Sequence, residues 1–242
     1  MITTQCVQAR YQTLIEDPPL LTIRRNFPRP SDELIAGFSG VPTGNVVDAM
    51  GGLGCLDCRI KPLVQSSQVM VGTAVTCYTG PSDGLAVFGA LHAARRGDIV
   101  VAATDAFTHT AIAGDLLLGM ARNRGVAGFV TDGSVRDLAG VLAVGLPVYC
   151  AGLTANSAAR NGPGTVGLPV VVGGVAVESG DILVGDRDGV VVVPLKQAQA
   201  VLAKLADVRA AEASLEAKVK AGLEIPDFVS ALINSDRVRE IK

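Results

Sequence analysis

The chain has 242 residues, of which 49% are hydrophobic and 18% charged, and its formal net charge is −2 at pH 7. This composition is typical of a globular protein, and no segment concentrates Lys or Arg in the way that a nucleic-acid-binding surface does. No apolar run reaches the ~20 residues that cross a bilayer, and the first residues show no signal peptide. We therefore expect a cytoplasmic protein that binds neither nucleic acid nor a membrane.

The five cysteines are odd in number and do not form a disulfide framework. Cys55 and Cys58 make a single C-x-x-C, but no second such pair or His pair completes a zinc site. The pattern favours an incidental, reduced pair, with a redox pair as the alternative.

Residues 1–30 contain Pro18, Pro19, Pro28 and Pro30 and predict an extended N-terminal arm, followed by a single domain over residues 31–242. From residue 31 to 150, helical and strand patterns alternate, which predicts parallel strands joined by helical crossovers. The predicted helices are a short one capped by Ser31 and those over 44–50, 84–94, about 111–124 and 137–143. The predicted strands are 69–78, 98–103, 127–131 and 147–150.

After residue 160 the pattern changes to short strands over 169–177, 182–184 and 189–193, separated by Gly-rich turns. Asp186 and Asp188 are predicted to shape one of these tight turns rather than to bind a metal. A second, antiparallel or mixed layer follows, so the predicted fold class is α/β, built as a three-layer α/β/β body.

A long helix over about 195–221 is predicted near the C-terminus. Its apolar stripe consists of Val201, Leu205, Val208, Leu215 and Val219, and Glu212 falls in the same stripe. A carboxylate on an apolar stripe is costly unless it is paired or solvated. Glu212 is therefore either a rim residue whose side chain extends to water, or a residue that the helix delivers to the metal site of a neighbouring subunit. The spacing alone favours the rim interpretation.

Two short motifs carry the main functional signal. Gly114-Asp115-Leu116-Leu117 opens a helix, whose first-turn amides and positive dipole end suit an anion. Arg136 and Asp137 follow a strand and place a carboxylate-binding guanidinium beside an oxygen ligand for a hard cation. The sequence thus predicts a site for a small carboxylate and a divalent cation. The alternatives are an ordinary helix start at Gly114 and a surface ion pair in which Asp137 caps a helix. His109 is a weaker candidate for a general base.

These motifs, together with Val175-x-Val177-x-x-Gly180-Asp181 and the Asp186–Pro194 segment, resemble the RraA-like family. That family contains 4-hydroxy-4-methyl-2-oxoglutarate/4-carboxy-4-hydroxy-2-oxoadipate aldolases and regulators of ribonuclease E activity. The resemblance covers residues 31–222 and implies a fold of the swivelling-domain type, assembled as a homotrimer or homohexamer.

The resemblance also implies the roles of individual residues. The substrate oxygens would be held by Gly114, Asp115, Leu116, Leu117 and Arg136. Asp137 would bind Mg²⁺ or Mn²⁺, while Asp115 and Glu212 of a neighbouring subunit would hold its waters. The chain departs from the aldolase pattern at Gly140, where an acidic residue is usual.

The function implied is cleavage of a 4-hydroxy-2-oxo acid to pyruvate and a second carbonyl compound, with oxaloacetate decarboxylation as a side activity. Both reactions pass through a pyruvate enolate, which a Schiff-base lysine or a metal can stabilise. None of the six lysines follows a core strand, so the metal route fits better. The alternative is a regulator without catalytic activity that binds a ribonuclease.

Overall fold

The computed structural model describes residues 17–63 and 68–241, and this part of the chain forms fourteen strands and seven α-helices. The strands are β1 (Leu21–Ile23), β2 (Lys61–Pro62), β3 (Met70–Tyr78), β4 (Asp98–Ala103), β5 (Ala111–Ala113), β6 (Gly128–Thr131), β7 (Ser134–Val135), β8 (Val148–Cys150), β9 (Gly152–Leu153), β10 (Gly164–Val166), β11 (Val170–Val172), β12 (Val175–Val177), β13 (Ile182–Gly185) and β14 (Val190–Val193). The helices are α1 (Asp32–Ala36), α2 (Thr43–Ala49), α3 (Leu85–Ala93), α4 (Asp115–Asn123), α5 (Leu138–Val144), α6 (Ala198–Lys220) and α7 (Asp227–Ile233).

A nine-stranded mixed sheet forms the centre of the molecule, with the order β1-β10-β3-β4-β6-β8-β2. Within it, β3, β4, β6 and β8 run parallel, as the alternation of helical and strand patterns predicts. Strand β13 pairs antiparallel with β3 and carries β14 on its other side. Every residue of β4 is buried, because a parallel sheet is covered on both faces.

Different layers cover the two faces of this sheet. Val100 and Phe129 point into a core under α3, α4 and α5, whereas Ile99 and Val130 point into a core shared with Val172 of β11. Helices, the parallel sheet and a second β layer therefore stack in that order, which confirms the predicted α/β/β class.

The long C-terminal helix α6 is packed along only half of its length. Val201 and Leu205 are buried in a third core cluster against α2, β13 and β14. Leu215, farther along the same stripe, is 48% exposed, and the helix α7 that follows has no buried residue. In the described residues, no helix is both long and apolar enough to cross a membrane.

Two predicted elements were wrong in their extent. The helix predicted over 111–124 begins only at Asp115, because residues 111–113 form strand β5 and pair with β7. The single strand predicted over 169–177 is a hairpin of β11 and β12. Gly173 and Gly174 make its turn. Both have positive φ, a backbone conformation that residues with a Cβ rarely adopt.

The described part of the N-terminal arm, residues 17–30, is attached to the domain, while residues 1–16 lie outside the described residues. Strand β1 pairs parallel with β10. Arg29 forms a bidentate pair with Asp98, with N–O distances of 2.6 and 2.9 Å, and the Arg95 amide donates to the same carboxylate. Because the Asp98 side chain is only 3% exposed, this pair fixes the arm to the start of β4.

We predict that Asp98→Asn lowers the free energy of unfolding by about 2–4 kcal/mol, because it leaves a largely desolvated guanidinium without its counter-charge. The matched control is Asp57→Asn, since Asp57 pairs with Arg59 at the surface and such pairs contribute little. Urea denaturation measures both. Equal losses in the two variants would contradict the structural importance of the Arg29–Asp98 pair.

Candidate functional site

Two strand–helix turns lie side by side at one edge of a small parallel sheet. Strand β5 leads through Gly114 into α4, and β7 leads through Arg136 and Asp137 into α5. The two strands pair in parallel, and the Arg136 amide donates a hydrogen bond to the Ala113 carbonyl at 3.1 Å. Both helices therefore begin at the same place, with first-turn amides that have no intrahelical acceptor.

A cavity of about 140 Å³ opens between these turns. It is lined by six of the seven predicted site residues, namely Gly114, Asp115, Leu116, Leu117, Arg136 and Asp137. The structure thus brings together two motifs that are about 20 residues apart in the sequence. The roles assigned to these residues stay predictions.

Asp137 holds its carboxylate in the cavity rather than on its own helix. The residue has φ 60° and ψ 46°, a left-handed conformation that costs a non-glycine residue about 1–2 kcal/mol. It stands at the N-cap position of α5, but its side chain makes no capping hydrogen bond. Instead, Asp137 Oδ2 lies 3.1 Å from Arg136 Nε, and Arg136 Nη1 donates to Ser157 Oγ. The predicted alternative of a helix cap is wrong, while the ion pair is present.

Gly114 is required by the close packing of this pair. A Cβ on Gly114 would lie 2.6 Å from Asp137 Oδ2 and 3.2 Å from Arg136 Cγ. Any other residue would therefore push the carboxylate and the guanidinium out of place.

Asp115 occupies the space beside the unusual Gly140. Its Oδ1 accepts a hydrogen bond from the Leu116 amide at 2.7 Å, at the positive end of the α4 dipole. A Cβ on Gly140 would lie 2.6 Å from Asp115 Cβ and would also meet Oδ2. An acidic side chain at residue 140 would thus have to displace Asp115. The position of Asp115 therefore explains why this chain has glycine at residue 140, where the aldolase pattern has an acidic residue.

Two predicted candidates lie outside the cavity of this chain. Glu212 on α6 accepts a hydrogen bond from Asn45 Nδ2 at 2.5 Å. His109 is exposed, and its ring centroid lies 5.3 Å from that of Phe107. Neither residue lines the cavity. Delivery of Glu212 to a neighbouring subunit stays a prediction.

Sequence reasoning missed one wall of the cavity, which the segment from Ser157 to Arg160 forms together with Gly84. This segment belongs to no helix or regular strand. Its backbone pairs with β5 on one side and with Ser82–Gly84 on the other. Such long-range pairing leaves no local periodicity, and the only signal in the sequence was an arginine in a loop.

Asp186, at the start of the Asp186–Pro194 segment, shapes a turn as predicted. Its side chain accepts hydrogen bonds from the Thr43 amide and hydroxyl, both at 2.8 Å, and from the Asp188 amide at 2.9 Å. Partial burial works against ionisation of Asp186, but these hydrogen bonds outweigh it and lower its pKa below the ordinary value.

The donor set of the cavity fits a hard divalent cation. The described residues contain no cluster of three or more His, Cys, Asp or Glu side chains that could hold a metal. In the cavity, the carboxylate oxygens come from two residues, Asp115 and Asp137. Mg²⁺ accepts such a site, because it usually keeps several waters and takes one or two carboxylates together with oxygens of the substrate.

The fold and the cavity define a class: an α/β/β sandwich with a guanidinium and two carboxylates at paired strand–helix turns. Within this class, the model of the RraA-like family, described as Aldolase/RraA, matches residues 43–192. The chain therefore belongs to the RraA-like family.

Relatives within the family carry two kinds of name. A protein of Halalkalibacterium halodurans, provisionally named 4-hydroxy-4-methyl-2-oxoglutarate aldolase, is 41% identical over 172 residues, which cover 71% of this chain and 81% of the relative. The crystal structure of Streptomyces coelicolor RraAS2, called an unusual member of the RNase ES inhibitor RraA family, is 28% identical with a TM-score of 0.71 and covers 78% of this chain and 100% of that one. A structure from Pseudomonas syringae pv. tomato, at 23% identity, a TM-score of 0.72 and coverage of 82% and 93%, shows the same fold.

We predict that Gly140→Ala fails to stabilise the protein, although alanine normally gains about 0.5–1 kcal/mol over glycine inside a helix. The reason is that the alanine Cβ at residue 140 would overlap the Asp115 side chain. Gly119→Ala on α4 is the matched control, because its Cβ would meet nothing closer than Val144 at 3.9 Å. Gly140→Ala should recover the gain in an Asp115→Gly background, which removes the Asp115 Cβ together with the carboxylate. Urea denaturation of the four variants tests this coupling, and additive effects would contradict it.

Proposed function

We propose that the protein is a divalent-metal-dependent lyase that cleaves a 4-hydroxy-2-oxo acid to pyruvate and a second carbonyl compound. The same site would also decarboxylate oxaloacetate, since that reaction generates the same enolate. The observation that carries the proposal is the Arg136–Asp137 pair, held in a strained conformation with its carboxylate free of any capping bond. Backbone strain of this kind concentrates at functional sites.

The chain's own residues account for binding and charge stabilisation. Arg136 would hold the C1 carboxylate of the substrate and stabilise the negative charge that develops on the enolate oxygen. The Leu117 amide, in the first turn of α4, would add an N–H donor. These groups are fixed before the substrate arrives, so little reorganisation is needed during the reaction.

The reaction requires one proton to leave and one to be returned. As the C3–C4 bond breaks, the 4-hydroxyl loses its proton and the electron pair of the bond remains on C3. Asp115 would accept that proton, directly or through a water, and a proton would later be returned to C3. Asp137, with Asp115 nearby, would hold the Mg²⁺ or Mn²⁺, which when bound supplies Lewis acidity towards the substrate oxygens.

A second candidate function is regulation of a ribonuclease by direct binding, without catalysis. The structural likeness to RraAS2 and the glycine at position 140 favour it. A pure regulator has no need for a cavity that binds a cation and a 2-oxo acid together. Joint binding of a cation and a 2-oxo acid would therefore favour the lyase over the regulator.

We further propose that the protein assembles as a homotrimer or homohexamer. Beside the cavity, α4 and α5 expose Leu116, Met120 and Leu142, and Leu116 is 77% exposed. The unpacked half of α6 exposes Leu215 and Val219. Two such apolar surfaces on one chain are explained if each covers the other in a neighbouring copy.

For the cavity we predict joint binding of Mg²⁺ and oxalate, an analogue of the pyruvate enolate. Together they should raise the melting temperature by more than the sum of their separate effects. A ligand at 100 times its Kd stabilises the folded state by about 2.7 kcal/mol. Arg136→Met and Asp137→Asn should abolish the joint effect and reduce pyruvate release by about 100-fold or more. Differential scanning fluorimetry and a coupled pyruvate assay measure these changes.

The matched control for Asp137→Asn is Asp188→Asn, which also removes an exposed carboxylate but lies outside the cavity. EDTA should remove the activity, and Mg²⁺ should restore it. Pyruvate release that persists with EDTA or in Asp137→Asn would contradict the proposed mechanism. Binding of a ribonuclease with no response to Mg²⁺ and oxalate would favour the regulator.

Glu212 gives a prediction about shared sites. If α6 delivers Glu212 to a neighbour, Glu212→Gln and Asp137→Asn should each be inactive alone. Mixed oligomers of the two variants, formed by reversible dissociation, would contain some intact sites, and about a quarter of the wild-type activity should return under random mixing. No recovery in oligomers shown by native mass spectrometry to be mixed would place Glu212 outside the site.

A further inference from the structure

Two connecting segments join the central sheet to the cavity. The first, residues 104–110, leads from β4 to β5, and the second, residues 132–133, leads from β6 to β7. The pairing of β5 with β7 is short, and its register shifts between Ala111 and Ala113. Because an irregular ladder of this kind is locally disrupted, it holds two strands together less firmly than a regular one. The connecting segments therefore contribute to the alignment of the two strand–helix turns.

The buried carboxylate of Asp132 joins these two segments. It is 5% exposed, and it accepts hydrogen bonds from the Thr104 amide at 2.8 Å, the Thr104 hydroxyl at 3.0 Å and the Ala106 amide at 2.9 Å. A second link lies two residues farther along, where Ser134 Oγ donates to the Thr108 carbonyl at 2.8 Å. Both links run from the β6–β7 side to the segment that leads into β5, so they set the position of one cavity turn relative to the other.

The turn that Asp132 holds has an unfavourable backbone conformation. Asp105 and Ala106 have φ values of 58° and 56°, in the left-handed region that residues other than glycine rarely adopt. Such residues persist only where the surrounding structure constrains them strongly. The Asp132 carboxylate supplies that constraint, because it accepts the amides on both sides of Asp105. Without the carboxylate, the turn would relax and the segment leading into β5 would move with it.

The cavity tolerates little movement of this kind. A Cβ on Gly114 would lie 2.6 Å from Asp137 Oδ2, so the two turns are already packed as closely as a glycine allows. Groups that act on a substrate must be positioned closely, and a misplacement of about 1 Å can lower the rate by about 100-fold.

We infer that Asp132 is a positioning residue for the cavity. It holds the turn around Asp105 and Ala106 in its left-handed conformation and thereby keeps the two strand–helix turns aligned. Asp132 does not line the cavity, so it acts through the backbone and touches neither substrate nor metal. The inference rests on the proposed function and identifies the group that keeps the two halves of that site together.

The variant that tests this role is Asp132→Asn. Its side chain has a single accepting oxygen, so an NH₂ group would face the amide of either Thr104 or Ala106. We expect kcat/KM for pyruvate release to fall by about 10- to 100-fold. The joint rise in melting temperature with Mg²⁺ and oxalate should also be lost. Activity is measured at a temperature at which circular dichroism shows each variant to be folded.

The matched control is Asp181→Asn. Asp181 is 7% exposed and also accepts two backbone amides, those of Glu178 at 2.8 Å and Leu195 at 2.9 Å, but it lies outside the cavity. It should lose stability as Asp132→Asn does, while its kcat/KM stays within about twofold of the wild type. The difference between the two variants separates positioning from a general loss of stability.

A second substitution tests the route through the backbone. Glycine adopts positive φ without strain, so Ala106→Gly should let the turn keep its shape without the carboxylate. In the Asp132→Asn background it should restore kcat/KM by about tenfold, and in the wild type it should leave kcat/KM unchanged. Ser134→Ala removes the other link at the cost of one hydroxyl group and should lower kcat/KM by about fivefold.

The outcomes separate the inference from the proposed function. If the wild type releases pyruvate but Asp132→Asn loses no more activity than Asp181→Asn, or Ala106→Gly restores none, the role of Asp132 is overturned and the lyase stands. If Asp132→Asn does not fold, Ser134→Ala decides, and full activity of that variant overturns the inference.

Joint binding of Mg²⁺ and oxalate tests the inference without catalysis. If the wild type binds both together but releases no pyruvate, the proposed function fails. The shift in melting temperature then tests Asp132 in the same variants, and a shift that survives in Asp132→Asn overturns its role. If the wild type shows neither binding nor pyruvate release, the proposed function and the inference both fail.

Discussion

The contact between Arg136 and Asp137 is the interaction on which the functional account depends. The two residues are adjacent in sequence, and their side chains meet while Asp137 holds a left-handed conformation. Gly114 leaves room for the carboxylate, and Ser157 fixes the other end of the guanidinium. Three separate segments thus hold one ion pair at the mouth of a cavity, although a bond from Asp137 to its own helix would be the simpler local arrangement.

The fold explains why these segments meet. Strands β5 and β7 run parallel, so their carboxyl ends and the two helices that follow lie together. The helices pack on the central sheet, whose strand β4 is fully buried, and this packing supports the small β5-β7-β9 sheet. Groups placed on the ends of such elements are positioned more exactly than groups on a free loop.

Much of this arrangement could be predicted from the sequence. The alternation up to residue 150 gave the parallel sheet, and the two short motifs indicated six residues that share the cavity. The beginning of α4 was misplaced, because Ala111–Ala113 are apolar in either conformation and only pairing with β7 decides between strand and helix. Two features depend on long-range packing, which leaves no periodic pattern in the sequence. They are the contact of Asp115 with Gly140 and the cavity wall from Ser157 to Arg160. Glu212 is the opposite case, because its place on the apolar stripe is visible in the sequence, whereas in this chain it accepts a hydrogen bond from Asn45 and does not line the cavity.

The most direct test of the central claim is a crystal structure with Mn²⁺ and oxalate, using anomalous diffraction to locate the metal. We expect an anomalous peak at the Asp137 carboxylate, with oxalate between that metal and the Arg136 guanidinium. Metal and oxalate bound elsewhere, with Arg136 and Asp137 still paired only to each other, would contradict it.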